Sequence, residues 1–264
     1  MRRVLFLLLF SALMLTLPGL ARKATHGFRI AKLHLDFPYQ PQWEIAPNPA
    51  IDTLLRQPFT FIGKGSQSYV FESQDGQTVI KLFRFDRPIP NAAQLFDACK
   101  LAYDSLRAET GLLYIHLNTT CMNLPTLSCK DAIGRSYQLP LDDYRFVVQK
   151  KGEAFYSALL SARSHPSLMQ KRLDQFLELL QTRVAKEILN ADPSLSRNFG
   201  FLDDRAIEFD FGNYRASPGL DRAAEVRHYT AKLRSWLQEN APEWVSYLDQ
   251  LVLWREKGKN ELGP

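Results

Sequence analysis

Phe61-Ile62-Gly63-Lys64-Gly65-Ser66-Gln67-Ser68-Tyr69-Val70 is the stretch on which the reading of this chain turns. Apolar residues up to Ile62 and again from Tyr69 predict two strands, and the small polar residues between them predict a turn carrying Gly63 and Gly65. Glycine lets a backbone approach an anion and point N–H groups at it, an approach that side chains would obstruct. Far along the chain, Ile207-Glu208-Phe209-Asp210-Phe211-Gly212 reads as a strand ending in an acidic turn. The two segments make sense together as halves of one nucleotide site.

Outward from the glycine turn, Phe59–Ile62, Ser68–Ser73 and Thr78–Phe83 are strand-like, with Asp75-Gly76 marking a hairpin whose two central residues both need positive φ. Apolar residues at threes and fours predict one long helix from Asn91 to Leu117, with Glu109 on its apolar stripe. A carboxylate in that position calls for a buried cationic partner. Thr126–Ile133 and Tyr144–Gln149 complete a five-stranded antiparallel unit. Helices then follow over Glu153–Ala162 and Ser167–Asn190, with Asp192-Pro193 stopping the second. A small hairpin over Asn198–Phe211 and two further helices, Leu220–Gln238 and Pro242–Lys257, close the chain.

The chain has 264 residues, 45% of them hydrophobic, enough for a substantial core. Its formal charge is +5, or +3 with Arg2 and Arg3 set aside, and basic and acidic residues alternate as in Lys171-Arg172-Leu173-Asp174. No basic stripe follows, so nucleic acid is not an expected partner. Cys99, Cys121 and Cys129 lack zinc-site spacing; Cys121 and Cys129 can pair in an oxidising compartment, and Cys99 reads as a core residue.

Residues 1–21 have the layout of a signal peptide: Arg2-Arg3, an apolar run from Val4 to Leu17, a Pro18-Gly19 break, and small residues at Gly19 and Ala21. Export to a periplasmic or extracellular space is the first expectation. The alternative is an uncleaved membrane anchor, and Arg22, Lys23, Arg29 and Lys32 would then hold the domain on the cytoplasmic side. An N-terminal arm (22–58) with a short strand at Phe28–Phe37 and several prolines precedes two expected lobes at 59–152 and 153–257, and 258–264 forms a tail.

The order of these elements resembles the protein kinases, over roughly Phe59 to Asn213. Gly63, Gly65, Ser68 and Val70 match the family's glycine-rich loop with serine in the third glycine position, and Thr78-Val79-Ile80-Lys81 resembles its lysine-bearing strand. The resemblance implies an α+β, two-lobed protein-kinase-like fold with a five-stranded antiparallel N-lobe and a reduced helical C-lobe. It implies ATP as phosphoryl donor and Mg²⁺, or Mn²⁺ in its place. Lys81 would reach the α and β phosphates with Glu109 holding its ammonium, and Asp210 and Asn198 would bind the metal.

Asn190 to Asn198 departs from the family pattern: Asp192 stands where the catalytic base belongs, but the preceding His-Arg is missing and one residue is added. Asp192 would accept the proton of an attacking hydroxyl; as a helix-stopping Asp-Pro it would have no chemistry. No Ala-Pro-Glu segment follows Gly212. A small hydroxyl compound or envelope component is therefore a better acceptor than a protein. The alternative reading is a pseudokinase that binds nucleotide or a partner without transfer.

Overall fold

β1 (Phe59–Lys64), β2 (Ser68–Ser73) and β3 (Thr78–Phe83) pair antiparallel in sequence order. In this computed structural model, which describes residues 16–17, 19–85 and 92–257, the chain divides into two units. One takes residues up to 90 and 114–149; the other takes 91–113 and everything from 150 onward. Most of segment 1–21, the start of the expected helix at Asn91 and the tail 258–264 lie outside the described residues.

The sheet of the first unit corrects the expected five-stranded antiparallel lobe, and with it the expected kinase-like fold class. It is mixed and seven-stranded, in the order β4-β7-β3-β2-β1-β5-β6. The added strands are β4 (Leu112–His116) and β6 (Ser136–Pro140), beside β5 (Thr126–Lys130) and β7 (Phe146–Lys150). β5 runs parallel to β1, with Phe59 opposite Cys129.

Both additions have local causes. The expected long helix ends early: α2 covers Ala92–Ser105, Leu106 leaves helical geometry at φ −136°, and Arg107–Thr110 forms a separate turn, α3. Gly111 then takes the left-handed conformation at φ 65°, a helix terminator. The following Leu-Leu-Tyr-Ile-His run, buried at four of five positions, is strand. Gly134, at φ 80°, turns β5 back into β6, so that Cys129 faces Tyr137.

Tyr69, Phe71, Ile80 and Leu82 have no exposed surface and form one face of the β2–β3 pair. Phe28 meets Tyr69, Phe71 and Tyr137 edge-on, with ring centroids 5.1, 5.3 and 5.2 Å away. The short strand expected at Phe28–Phe37 is instead a 3₁₀ turn at Ile30–Lys32 within irregular backbone. Farther along the arm, α1 (Pro49–Leu55) is capped by the Asn48 side chain. Of the two turn residues Asp75 and Gly76, only Gly76 has positive φ, because the β2–β3 connection is a wider loop closed by the Gly76 N–H on the Ser73 carbonyl. All three cysteines are free thiols.

The second unit packs helices around two small sheets. β8 (Glu153–Ala154), β10 (Phe199–Leu202) and β11 (Arg205–Glu208) form one, and β9 (Ile188–Asn190) with β12 (Tyr214–Ala216) the other. α5 (Pro166–Ala185) is shorter than its sequence pattern because Glu187, at φ 55°, ends it and lets Ile188–Asn190 become a strand. α4 (Phe155–Ala162), α5, α7 (Arg222–Asn240) and α8 (Val245–Lys257) bury a core that includes Phe155, Phe176, Phe199, Phe201, Tyr229 and Leu233. The Asp203-Asp204 turn of the β10–β11 hairpin has Asp203 at φ 53°.

Candidate functional site

In the first unit the strand registers place Gly63 opposite Val70 and Val70 opposite Lys81. Three of the sequence candidates thus form one cross-strand row, on the face opposite the buried Tyr69 and Leu82, with strands about 4.8 Å apart. Lys81 is half-buried and Ser68 lies at the turn, where the Gly65 N–H bonds the Ser68 carbonyl at 2.9 Å. Neither Gly63 nor Gly65 has positive φ. A Cβ at Gly63 would meet nothing within 4 Å, and one at Gly65 only the Ser68 hydroxyl at 3.8 Å. The fold does not require glycine at either position.

Glu109 sits on the short α3 rather than on the long helix. It is half-buried and lines a small cavity of the second unit with Gln175, Glu178, Thr182 and Arg205. Arg205 is the cation lining that cavity.

Asp192, Asn198 and Asp210 all belong to the second unit, and a chain of hydrogen bonds brings them together. α6 (Leu195–Asn198) carries Asn198 to the start of β10. Its side-chain Nδ2 donates to the Asp192 carbonyl at 2.6 Å, and its backbone carbonyl accepts the Phe209 N–H at 2.5 Å. Asn190, 3% exposed at the end of β9, ties the same pieces from the other side. Its Oδ1 accepts the Asp192 N–H at 2.9 Å, while its Nδ2 donates to Glu208 Oε1 at 2.7 Å and to the Asp210 carbonyl at 3.1 Å.

Three features bear on chemistry. Asn198 is 1% exposed, and its Oδ1 has no hydrogen-bond partner among the described residues. Its orientation is fixed, since Nδ2 must face the Asp192 carbonyl, which can only accept. A buried amide oxygen without a partner costs roughly 1–3 kcal/mol, so a donor or cation there is worth that much. Asp210 is exposed, with its Oδ1 accepting the Gly212 N–H at 3.2 Å. Asp192 is partly exposed and lies 3.6 Å from the Arg197 guanidinium.

Two carboxylates and an amide oxygen suit Mg²⁺, which binds through one or two carboxylates and takes its other ligands from water and phosphate. Among the described residues no group of three or more His, Cys, Asp or Glu side chains is placed to hold a metal.

Below the site lies a charged core that sequence reasoning passed over. Arg183 and Glu208 have no exposed surface and approach to 3.3 Å. Tyr214 donates to Glu208 at 2.5 Å, Arg183 also meets Glu225 at 3.3 Å, and its guanidinium lies 5.0 Å from the Tyr229 ring centre. Complete burial pushes the Glu208 carboxyl above its ordinary value, against the pull of Arg183, Tyr214 and Asn190. Burial opposes the Arg183 charge, yet Glu208 and the surrounding Tyr214, Tyr229 and Glu225 raise it overall. The signal for this pair was a charged residue inside each apolar pattern: Arg183 beside Val184 on α5, and Glu208 after Ala206-Ile207 on β11.

No protein-family model matches this chain, and no characterised protein is significantly similar to it.

Proposed function

We propose that this protein is a divalent-metal-dependent phosphotransferase that uses ATP and delivers a phosphoryl group to a hydroxyl acceptor. The observation that carries this reading is the buried Oδ1 of Asn198, unpartnered among the described residues, on a side chain that holds the Asp192 backbone and a main chain that holds Phe209, next to Asp210. Asp210 and Asn198 would hold Mg²⁺ or Mn²⁺, whose chemistry is to neutralise charge on the phosphate oxygens. Asp192 is the group to take the proton from the attacking hydroxyl, as its partial exposure leaves it open to an acceptor.

Support from the first unit is separate. The Gly63–Val70–Lys81 row carries one ammonium suited to phosphate, and a Cβ at Gly63 would meet nothing within 4 Å. A second reading, nucleotide binding without turnover, is favoured by Arg197, whose guanidinium stands 3.6 Å from the Asp192 carboxylate that an acceptor hydroxyl would have to reach.

Thermal shift with Mg²⁺ and ATP tests the binding, and phosphorus NMR of the same mixtures tests turnover. Stabilisation of the wild type that is lost in Asp210→Ala and reduced in Lys81→Ala supports the proposal. Stabilisation with no nucleotide turnover, alike in wild type and Asp192→Asn, selects the second reading. No shift in any protein ends both.

A further inference from the structure

The outer face of the first unit's sheet carries a cavity of about 460 Å³, and one proline accounts for its position. Phe59 stands opposite Cys129 where β1 and β5 pair parallel, so Pro58 falls opposite Ser128. Proline has no N–H to give to a ladder, and the two strands pair only at Phe59 with Cys129 and Thr60 with Lys130. Pro58, Ser128 and the end of β2 border the opening that results. Its walls are two turns held by their own carboxylates. On one side the Asp75 carboxylate accepts the Ser73 hydroxyl at 2.6 Å and the Gln77 N–H at 3.0 Å. On the other, Asp131, 2% exposed, accepts the N–H groups of Ile133 and Arg135 at 3.0 and 2.9 Å and the Tyr137 hydroxyl at 3.0 Å. The cavity is therefore formed before any ligand arrives.

One cross-strand row runs along its floor. Glu72 of β2 lies opposite Thr60 of β1, Thr60 opposite Lys130 of β5, and Lys130 opposite Ser136 of β6. All four line the cavity, while Phe59, Phe71 and Cys129 alternate with them into the core. Lys130 is exposed and has no ion-pair or side-chain hydrogen-bond partner among the described residues. Glu72 and Lys130 stand two strand spacings apart, about 10 Å at the backbone. A ligand with one sign of charge is drawn by one of them and repelled by the other, whereas a ligand bearing both an ammonium and a carboxylate meets both favourably. The hydroxyls of Thr60 and Ser136, on the strands flanking Lys130, are donors suited to carboxylate oxygens. An extended tripeptide spans roughly 10 Å, which matches the separation of the two charges. Burial pushes the Cys129 thiol up to about 12, so the wall offers no thiolate and the chemistry here is binding alone.

We infer that this cavity binds a short zwitterionic peptide, a di- or tripeptide, with its N-terminal ammonium at Glu72 and its C-terminal carboxylate at Lys130 between the Thr60 and Ser136 hydroxyls. The site lies wholly within the first unit and uses none of the residues assigned to nucleotide or metal. It does not depend on the phosphotransferase reading, and its test uses no nucleotide.

The full chain is titrated calorimetrically with trialanine, with its N-acetyl form and with its C-terminal amide. Trialanine should bind with a Kd below about 1 mM, and each blocked form at least about fivefold more weakly. Lys130→Met should weaken trialanine to the same extent and bind trialanine and its amide alike, because the partner of the carboxylate is gone. Glu72→Gln should in the same way no longer distinguish trialanine from its N-acetyl form. Lys130 is exposed, so its replacement leaves the core intact. No binding of trialanine by the wild type, equal binding of the free and blocked peptides, or wild-type affinity in Lys130→Met each overturns the inference.

Discussion

Replacing Arg183 by methionine keeps much of the side-chain bulk and deletes the charge that compensates Glu208. The carboxylate would retain the Tyr214 hydroxyl at 2.5 Å and the Asn190 amide at 2.7 Å, but its counter-charge at 3.3 Å would be gone at a site with no exposure. Breaking a buried pair from one side costs about 3–5 kcal/mol. A second estimate comes from letting the orphaned Glu208 stay protonated in the folded state. Each pH unit above its unfolded value, about 4.3, then costs about 1.4 kcal/mol, which reaches about 4 kcal/mol near pH 7.3. The sign follows from a raised folded-state value: stability is fully present below the unfolded value and is lost as pH rises toward the folded one. Urea unfolding of wild type and Arg183→Met, near pH 7.3 and near pH 5, should therefore show a penalty of about 3–5 kcal/mol at the higher pH that shrinks to about 1–2 at the lower. The double variant Arg183→Met/Glu208→Leu should recover most of the loss and remove its pH dependence. A penalty under about 1 kcal/mol near pH 7.3, or one that does not change with pH, would refute the assignment of this pair as a buried, mutually compensating unit.

Other consequences concern glycines and the buried histidine. A Cβ at Gly200 would fall into the Phe209 ring and the Glu153 carbonyl, so Gly200→Ala should destabilise by about 1–3 kcal/mol in thermal or urea unfolding. Gly63→Ala, with open space around it, should leave the melting temperature within about 1 °C of wild type while weakening ATP binding. Burial holds His116 below its ordinary value, reinforced by Arg145 and opposed by the Tyr144 carbonyl and Asp142. Its contribution to stability is full above the unfolded value near 6.5 and is lost as pH falls through the folded one. His116→Gln should therefore flatten the fall in melting temperature between about pH 7 and pH 5, and an unchanged slope would count against the assignment.

Local chemistry was readable from the residues, and long-range pairing was not. The β1–β2 turn, the β2–β3 hairpin and the β10–β11 hairpin each follow from turn residues next to alternating apolar runs. Leu112–His116 continues the helical pattern because a short apolar run serves helix or strand equally; the left-handed Gly111 and the pairing with β7 make it strand. The parallel pairing of β1 with β5 joins residues far apart in sequence, and no local pattern announces it. At the candidate site, Asp192, Asn198 and Asp210 could be named from spacing, but Asn190, which ties them, has no motif of its own. Arg183 and Glu208 were hidden for a different reason: a charge in an apolar stripe signals a partner without saying which one. The glycines tell the same story, since Gly63 and Gly65 drew attention while Gly152 and Gly200 are the ones packed against backbone and ring.

The central claim is that Asp192, Asn198 and Asp210 receive a metal-bound phosphate, and Asp210→Asn tests it most directly. Asp210 is exposed, so the change removes a charge without disturbing the core. Isothermal titration of the full chain with ATP in the presence of Mg²⁺ should show binding that weakens at least about tenfold in Asp210→Asn, equal to about 1.4 kcal/mol. Equal binding by the two proteins, or no binding by the wild type, would contradict the account.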